Sequence, residues 1–146
     1  MARLTDPSSL EHFRAELRTE RDSWPLRVTL SSGTCGEASG SVAVLKELQA
    51  QLERNDLADL VHLRVTGCQG YCQEEPLMIV EPLGVIYRKV TAADVEEIVS
   101  ESLLGGRIVE RLCFIDERSG QLVRQPEDLS FFAKQDRQLI GQNRYL

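Results

Sequence analysis

Apolar residues recur at helical spacing in three segments of the chain, and this spacing predicts three amphipathic helices. The segments cover residues 8–22, 38–54 and 92–104, and Ser8 or Ser9 can cap the first. Residues 31–36, before the second segment, are predicted to form a loop. Thr91 before the third segment and Gly105-Gly106 after it are typical of helix boundaries. The apolar positions that define the three patterns are Leu10, Phe13, Leu17, Val42, Leu45, Leu48, Leu52, Val95, Ile98, Val99 and Leu103.

Short segments between the helices alternate apolar and polar residues, and they predict four strands. The strands cover residues 26–30, 61–65, 77–80 and 85–87, and the turn at 82–84 makes the last two a hairpin. A strand–helix–strand unit followed by a hairpin and a helix is an α/β arrangement. The pattern therefore predicts a small mixed sheet of the thioredoxin-like type, flanked by helices on both faces and preceded by an N-terminal helix.

The last part of the chain, residues 105–146, has a weaker pattern. It predicts short extended pieces near residues 108–115, a turn at 116–120 and a final helix that is capped by Asp128 or Ser130 and ends near Ile140. This region is too sparse in apolar residues to fold alone. We expect it to pack on the core or on a partner.

Charge and cysteine content narrow the function classes. A net charge of −6 argues against a nucleic-acid surface. No apolar run has the length of a membrane span, and the N-terminus lacks the apolar region of a signal peptide. We therefore expect a cytoplasmic protein, in which four cysteines favour metal binding or redox chemistry over disulfides.

Three of the cysteines lie in two glycine-bearing segments that each follow a predicted strand. Cys68 and Cys72 fall within residues 66–72, and Cys35 falls within residues 31–36. Thiolates are soft ligands that select zinc, Cu(I) or iron–sulfur centres. This arrangement predicts a site for electron transfer or for metal-stabilised architecture.

The residues between the paired cysteines are predicted to shape such a site. Gln69, Gly70 and Tyr71 supply backbone amides that can donate to the cysteine sulfurs, and such hydrogen bonds tune the potential of a cluster. Glu74 and Glu75 follow directly. We interpret them as part of a solvated face that could also tune the potential or attract a partner.

Other interpretations of the cysteines stay open at this level. Structural zinc needs four ligands from compact pairs, but only one compact pair is present, and His12 and His62 lie in a predicted helix and strand. A thioredoxin-type dithiol has a two-residue spacing at a helix start, whereas Cys68 and Cys72 are separated by three residues. Cys113 has apolar neighbours and is interpreted as a core thiol. No complete catalytic constellation is evident.

Several motifs resemble the thioredoxin-like 2Fe–2S ferredoxins, a family that includes a small subunit of respiratory complex I. It also includes N-terminal domains of NADH-binding subunits in NAD-linked hydrogenases, formate dehydrogenases and bifurcating oxidoreductases. The similar segments are residues 33–40, 66–72 and 75–77, with 106–112 and 131–137 similar to the connector that precedes the flavin domain of such subunits.

The resemblance implies a division of the chain and a function. Residues 1–25 would form an N-terminal helical segment, 26–104 the ferredoxin domain and 105–146 the connector. The domain would carry a 2Fe–2S cluster and transfer electrons within a multi-subunit NAD(P)H-linked oxidoreductase. Its partners would be flavoprotein, NADH-binding and other iron–sulfur subunits, with FMN and NAD bound outside this chain. Some relatives pair, so a homodimer is also compatible.

The resemblance implies that Cys35, Cys68 and Cys72 bind the cluster. The family's first loop has two cysteines, and here Ser31 stands near the first of them while Cys35 is one position from the second. A fourth ligand would be Ser31, Cys113 or a partner residue. The alternative function is a thioredoxin-like docking module that holds no cluster.

Overall fold

The structure, a computed structural model, describes residues 5–116 and 119–138 of the 146-residue chain. In chain order, its helices and strands are α1 (Pro7–Ser23), β1 (Leu26–Ser31), α2 (Thr34–Ala38), α3 (Ser41–Arg54), β2 (Val61–Thr66), β3 (Met78–Glu81), β4 (Val85–Tyr87), α4 (Val95–Ile98), β5 (Phe114–Ile115), β6 (Leu122–Val123) and α5 (Ser130–Ala133).

Strands β1 to β4 form one mixed sheet in the order β2–β1–β3–β4. β1 and β2 run parallel with Leu26 opposite Val61 and Ser31 opposite Thr66, so both strands end at the same edge of the sheet. β3 is antiparallel to β1 and to β4, which confirms the predicted hairpin. The predicted α/β fold class, a small mixed sheet flanked by helices, is confirmed.

One face of the sheet carries the main hydrophobic core. Alternate residues of β1, β3 and β4 point to this face, where α3 and the helical segment after Thr91 pack against them. That segment contains a 3-10 turn (Ala92–Asp94), α4 and a π-helical turn (Val99–Leu104). The largest fully buried side chains of this core are Leu30, Leu48, Met78, Tyr87 and Ile98.

The opposite face carries a second cluster that includes the C-terminal segment (residues 105–138). Ile79 and Ile86 of the sheet pack with Phe114, Val123 and Leu129, which come from that segment. The amide of Ile86 also donates to the carbonyl of Arg124 at 2.8 Å, so the outer edge of β4 is covered. The prediction that the tail packs on the core is confirmed for the described residues.

Three element predictions need correction. The cap of α1 is Asp6, whose carboxylate accepts the amide of Ser9, rather than a serine. The segment after β1 contains the short helix α2, where a loop was predicted. The final helix ends at Ala133 rather than near Ile140, because Lys134 already leaves helical geometry; residues 139–146 lie outside the described part of the chain.

The N-terminal helix contributes nothing to either core. α1 has no buried residue, and its apolar stripe (Leu10, Phe13 and Leu17) is 43–47% exposed. Its contact with the sheet includes an ion pair between Arg21 and Glu81 at 3.1 Å. Within residues 5–116 and 119–138, no helix combines the length and apolar character needed to cross a bilayer.

Candidate metal centre

The two cysteine-bearing segments meet where β1 and β2 end side by side. The amide of Ser32 donates to the carbonyl of Thr66 at 2.8 Å, which extends the parallel pairing past β1. A Cβ placed on Gly33 would lie 2.9 Å from the amide nitrogen of Cys68. This approach is closer than a side chain allows, so a glycine is required at position 33. The predicted proximity of the two segments is confirmed.

Cys68 and Cys72 bring their sulfurs together in the cysteine loop (residues 67–72). Their Sγ atoms are 3.7 Å apart. Two thiolates on one tetrahedral metal with bonds of about 2.3 Å would have sulfurs roughly 3.8 Å apart, so the pair fits a single metal ion. Gly70 has a φ of +85°, and its amide donates to the Cys68 sulfur at 3.1 Å. The predicted amide–sulfur bond is therefore confirmed.

Interactions within the loop shift the pKa of Cys68 in opposite directions. Burial raises the pKa of the Cys68 thiol, the Gly70 amide lowers it, and the neighbouring Cys72 and the charge of Glu75 raise it further. A cation bound between the two sulfurs would favour the thiolate, because metal binding displaces the thiol proton. Cys72 is exposed, so one side of the pair is open to an electron-transfer partner.

Cys35 lies on the neighbouring segment but is not part of the sulfur pair. It is the second residue of α2, it is half-buried, and its carbonyl accepts the amide of Ser39 at 3.0 Å. In the described part of the chain, no three His, Cys, Asp or Glu side chains are grouped closely enough to hold one metal ion. The structure therefore pairs Cys68 with Cys72 and places Cys35 on the adjoining segment, in α2.

The two residues suggested as a fourth ligand have different surroundings. Ser31 is buried at the end of β1, and its hydroxyl donates to the carboxylate of Glu75. Cys113 is buried in the main core, where its thiol contacts the carbonyl of Val109 at 3.8 Å. Burial raises the pKa of Cys113 to about 11, so this thiol is poorly disposed to become a thiolate.

The C-terminal segment reaches the cysteine loop through aromatic rings. Tyr71 stacks on Phe131 with ring centroids 3.9 Å apart and on Phe114 at 5.7 Å. Phe132 contacts Tyr71 edge-on at 5.9 Å. Stacked and edge-on rings of this kind stabilise each other beyond the area they bury. The loop residue Tyr71 is thus held by residues that are distant in sequence.

A charged residue adds a second contact between the two regions. Arg137 donates to the backbone carbonyl of Gln69, and its guanidinium lies 4.0 Å from the centroid of the Phe132 ring. Gln69 is itself buried and donates to Thr66 Oγ1 at 3.1 Å. The three residues between the cysteines make different contacts. Gln69 acts through its side chain, Gly70 through its amide and Tyr71 through its ring.

The interpretation of Glu74 and Glu75 as a solvated face is wrong. Both are about 95% buried. Glu74 forms ion pairs with Arg88 at 2.8 Å and Lys89 at 3.6 Å. Glu75 instead accepts hydrogen bonds on one oxygen, Oε2, from Ser31 and from the amide of Leu77 at 3.1 Å. No local sequence pattern marks this burial, because the partners Arg88, Lys89 and Ser31 lie in other parts of the chain.

Similar proteins include a "Ferredoxin, 2Fe-2S" from Clostridium pasteurianum, which is 40% identical over 75 residues. The match covers 51% of this chain and 74% of that protein. A "Ferredoxin, 2Fe-2S" from Aquifex aeolicus (strain VF5) is 36% identical over 81 residues, covering 55% of this chain and 72% of its own length. No protein-family model matches the chain.

A solved structure shows the same fold. The thioredoxin-like 2Fe–2S ferredoxin from Aquifex aeolicus superposes with a TM-score of 0.57 at 28% sequence identity. The similarity covers 62% of this chain and 90% of that protein. The remaining part of this chain has no counterpart in that structure.

Proposed function

Because this chain belongs to the family of thioredoxin-like 2Fe–2S ferredoxins, we propose that it binds a 2Fe–2S cluster and transfers single electrons. The observation that carries the proposal is the sulfur pair of Cys68 and Cys72, whose 3.7 Å separation fits one tetrahedral metal ion. A bound cluster would supply the one-electron redox chemistry.

Each residue of the site has a defined task in this proposal. In a bound cluster, Cys68 and Cys72 would bind one iron, and Cys35 on the adjoining segment would bind the other. The Gly70 amide, which donates to the Cys68 sulfur, withdraws negative charge from it and favours the reduced state. Gln69 and Tyr71 hold the loop in place through Thr66 and the aromatic rings of the C-terminal segment.

We further propose that the protein acts within a multi-subunit NAD(P)H-linked oxidoreductase. Residues 26–104 would be the ferredoxin domain, with residues 1–25 as an N-terminal extension and 105–146 as a connector to a flavin- and NADH-binding region. Support comes from the similarity of residues 106–112 and 131–137 to such connectors. The contact of Phe131 with Tyr71 also brings the C-terminal segment beside the cysteine loop. FMN and NAD would bind outside this chain.

A second candidate function is a docking module without a cluster. It is favoured by one observation: the described residues bring only two cysteines into direct contact, and no set of three metal-ligating side chains surrounds a single point. Under this function, the same fold would present a surface to redox subunits without carrying electrons itself.

Cysteine variants separate the two functions. We expect the anaerobically purified protein to contain two irons and two acid-labile sulfides per chain. Cys68→Ala and Cys72→Ala should each lose nearly all of both, because each removes one member of the sulfur pair and leaves no donor atom in its place. Cys113→Ala is the matched control and should keep them, since Cys113 lies in the core. Equal cluster content in the wild type and all three variants would contradict the proposed site. A wild-type protein that stays colourless after reconstitution would favour the docking module.

A further inference from the structure

Glu75 is a buried carboxylate with only one of its oxygens satisfied. The side chain is 4% exposed. Oε2 accepts from the Ser31 hydroxyl and the Leu77 amide, whereas Oε1 is buried and has no hydrogen-bond partner. Burying an ionised group without a partner is costly, so such an atom needs an explanation.

The neighbouring Glu74 shows that this arrangement is not a general property of the segment. Glu74 is equally buried, but Arg88 and Lys89 neutralise it. Within the described residues, Glu75 forms no ion pair. A bound cation at Oε1 would balance the charge of Glu75 in the way that Arg88 balances that of Glu74.

Glu75 lies close to both of the segments that carry the candidate cysteines. It follows Cys72 by three residues, and its charge acts on Cys68. A Cβ placed on Gly36, next to Cys35, would lie 3.4 Å from Glu75 Oε2. The carboxylate therefore lies beside the segment that carries Cys35 and within electrostatic range of Cys68 in the cysteine loop.

We propose that Glu75 is the fourth ligand of the cluster and binds iron through Oε1. This inference rests on the proposed function. Ser31 positions the carboxylate by holding Oε2. The two irons of a binuclear cluster each need one pair of protein ligands. Cys68 and Cys72 form one pair, and Cys35 and Glu75 form the other, so no group of three around a single ion is required.

The chemistry of the three alternatives favours the carboxylate. A carboxylate is already an anionic oxygen donor, whereas a serine hydroxyl has to lose its proton to bind a metal as an alkoxide. Carboxylates bind iron in proteins. Cys113 would have to leave the main core, where its thiol contacts the carbonyl of Val109.

The test looks for the bond between iron and the glutamate carboxyl group. The protein is made by cell-free synthesis with ¹³C only in the side-chain carboxyl of glutamate, and the reduced cluster is examined by electron–nuclear double resonance. We expect a through-bond ¹³C coupling in the wild type and in Glu74→Gln. Glu75→Gln, which keeps the size of the side chain and carries no label, should lose the coupling and show a changed electron paramagnetic resonance (EPR) spectrum.

The remaining outcomes overturn the inference in distinguishable ways. A cluster spectrum without ¹³C coupling would leave the proposed function intact and assign the fourth position to Ser31, Cys113 or solvent. A coupling that persists in Glu75→Gln would assign it to another glutamate. A wild-type protein with no cluster would overturn both the inference and the proposed function.

Discussion

The N-terminal helix α1 and the C-terminal segment both lie outside the four-stranded sheet, yet they relate to it in opposite ways. α1 is a regular amphipathic helix whose apolar stripe stays exposed. The C-terminal segment has little regular structure, but its aromatic residues pack under the sheet and against Tyr71. The segment with the more regular secondary structure is therefore not the one that packs against the cysteine loop.

The two segments contact the sheet through different kinds of interaction. The C-terminal segment pairs with the free edge of β4 and inserts Phe114 into an apolar surface formed by Ile79 and Ile86. The contact between α1 and the sheet includes an ion pair between Arg21 and Glu81. Burial of apolar area stabilises a contact more than a partly exposed ion pair does. The C-terminal segment should thus be coupled to the cysteine loop, and α1 should not.

The largest expected effect comes from Tyr71→Ala. It removes the ring that joins the cysteine loop to Phe131, Phe132 and Phe114, so the free energy of unfolding should fall by about 2–3 kcal/mol. The matched control Leu17→Ala, in the exposed stripe of α1, should change it by less than about 0.5 kcal/mol. Anaerobic denaturant unfolding measures both, and equal effects would remove the proposed distinction between the two segments.

Arg137→Ala should have a smaller and more local effect. It removes the bond to the Gln69 carbonyl and the contact with the Phe132 ring, which together contribute about 1 kcal/mol. Amide hydrogen exchange in residues 67–72 should become faster. Arg14→Ala is the control, because Arg14 forms only an exposed ion pair with Glu11 on α1. Unchanged exchange in both variants would show that Arg137 does not restrain the cysteine loop.

The attachment of α1 should depend on pH. Burial raises the pKa of Glu81, but bonds to Arg27 and Arg21 outweigh it and hold this pKa below 4.5. A carboxylate with a lowered folded-state pKa stabilises the protein above its unfolded-state pKa, and this stability is lost as the pH falls through the folded-state value. We expect a loss of up to about 1 kcal/mol below pH 4.5.

Glu81→Gln tests this assignment. The variant should be less stable than the wild type near neutral pH, and the difference should shrink as the solution is acidified. Unfolding curves of the two proteins, recorded side by side from pH 7 down to pH 4, measure it. A difference that is independent of pH would mean that the ion pairs with Arg21 and Arg27 do not stabilise the fold.

The smallest effect is expected from removing the apolar stripe of α1. The triple variant Leu10→Ser, Phe13→Ser and Leu17→Ser should keep its cluster spectrum and its stability within about 0.5 kcal/mol after correction for helix propensity. The three side chains are nearly half exposed, so little burial is lost. A larger fall in stability, together with a change of molecular mass in solution, would show that a second copy covers the stripe.

The sequence predicted the sheet, the main helices and the contact between the two cysteine-bearing segments, because apolar periodicity and parallel strand ends determine them. It did not predict the burial of Glu74 and Glu75, since the partners Arg88, Lys89 and Ser31 lie in other parts of the chain. It also did not predict the stacking of Phe131 on Tyr71. Both depend on long-range contacts that leave no local pattern.

The central claim is that this chain carries one electron on a cluster held by the cysteine loop. The most direct test is a potentiometric titration of the anaerobic protein, followed by EPR spectroscopy. The account predicts a signal that grows on reduction along a one-electron curve and is absent from Cys68→Ala and Cys72→Ala. A wild-type protein that shows no signal at any potential after reconstitution with iron and sulfide would contradict it.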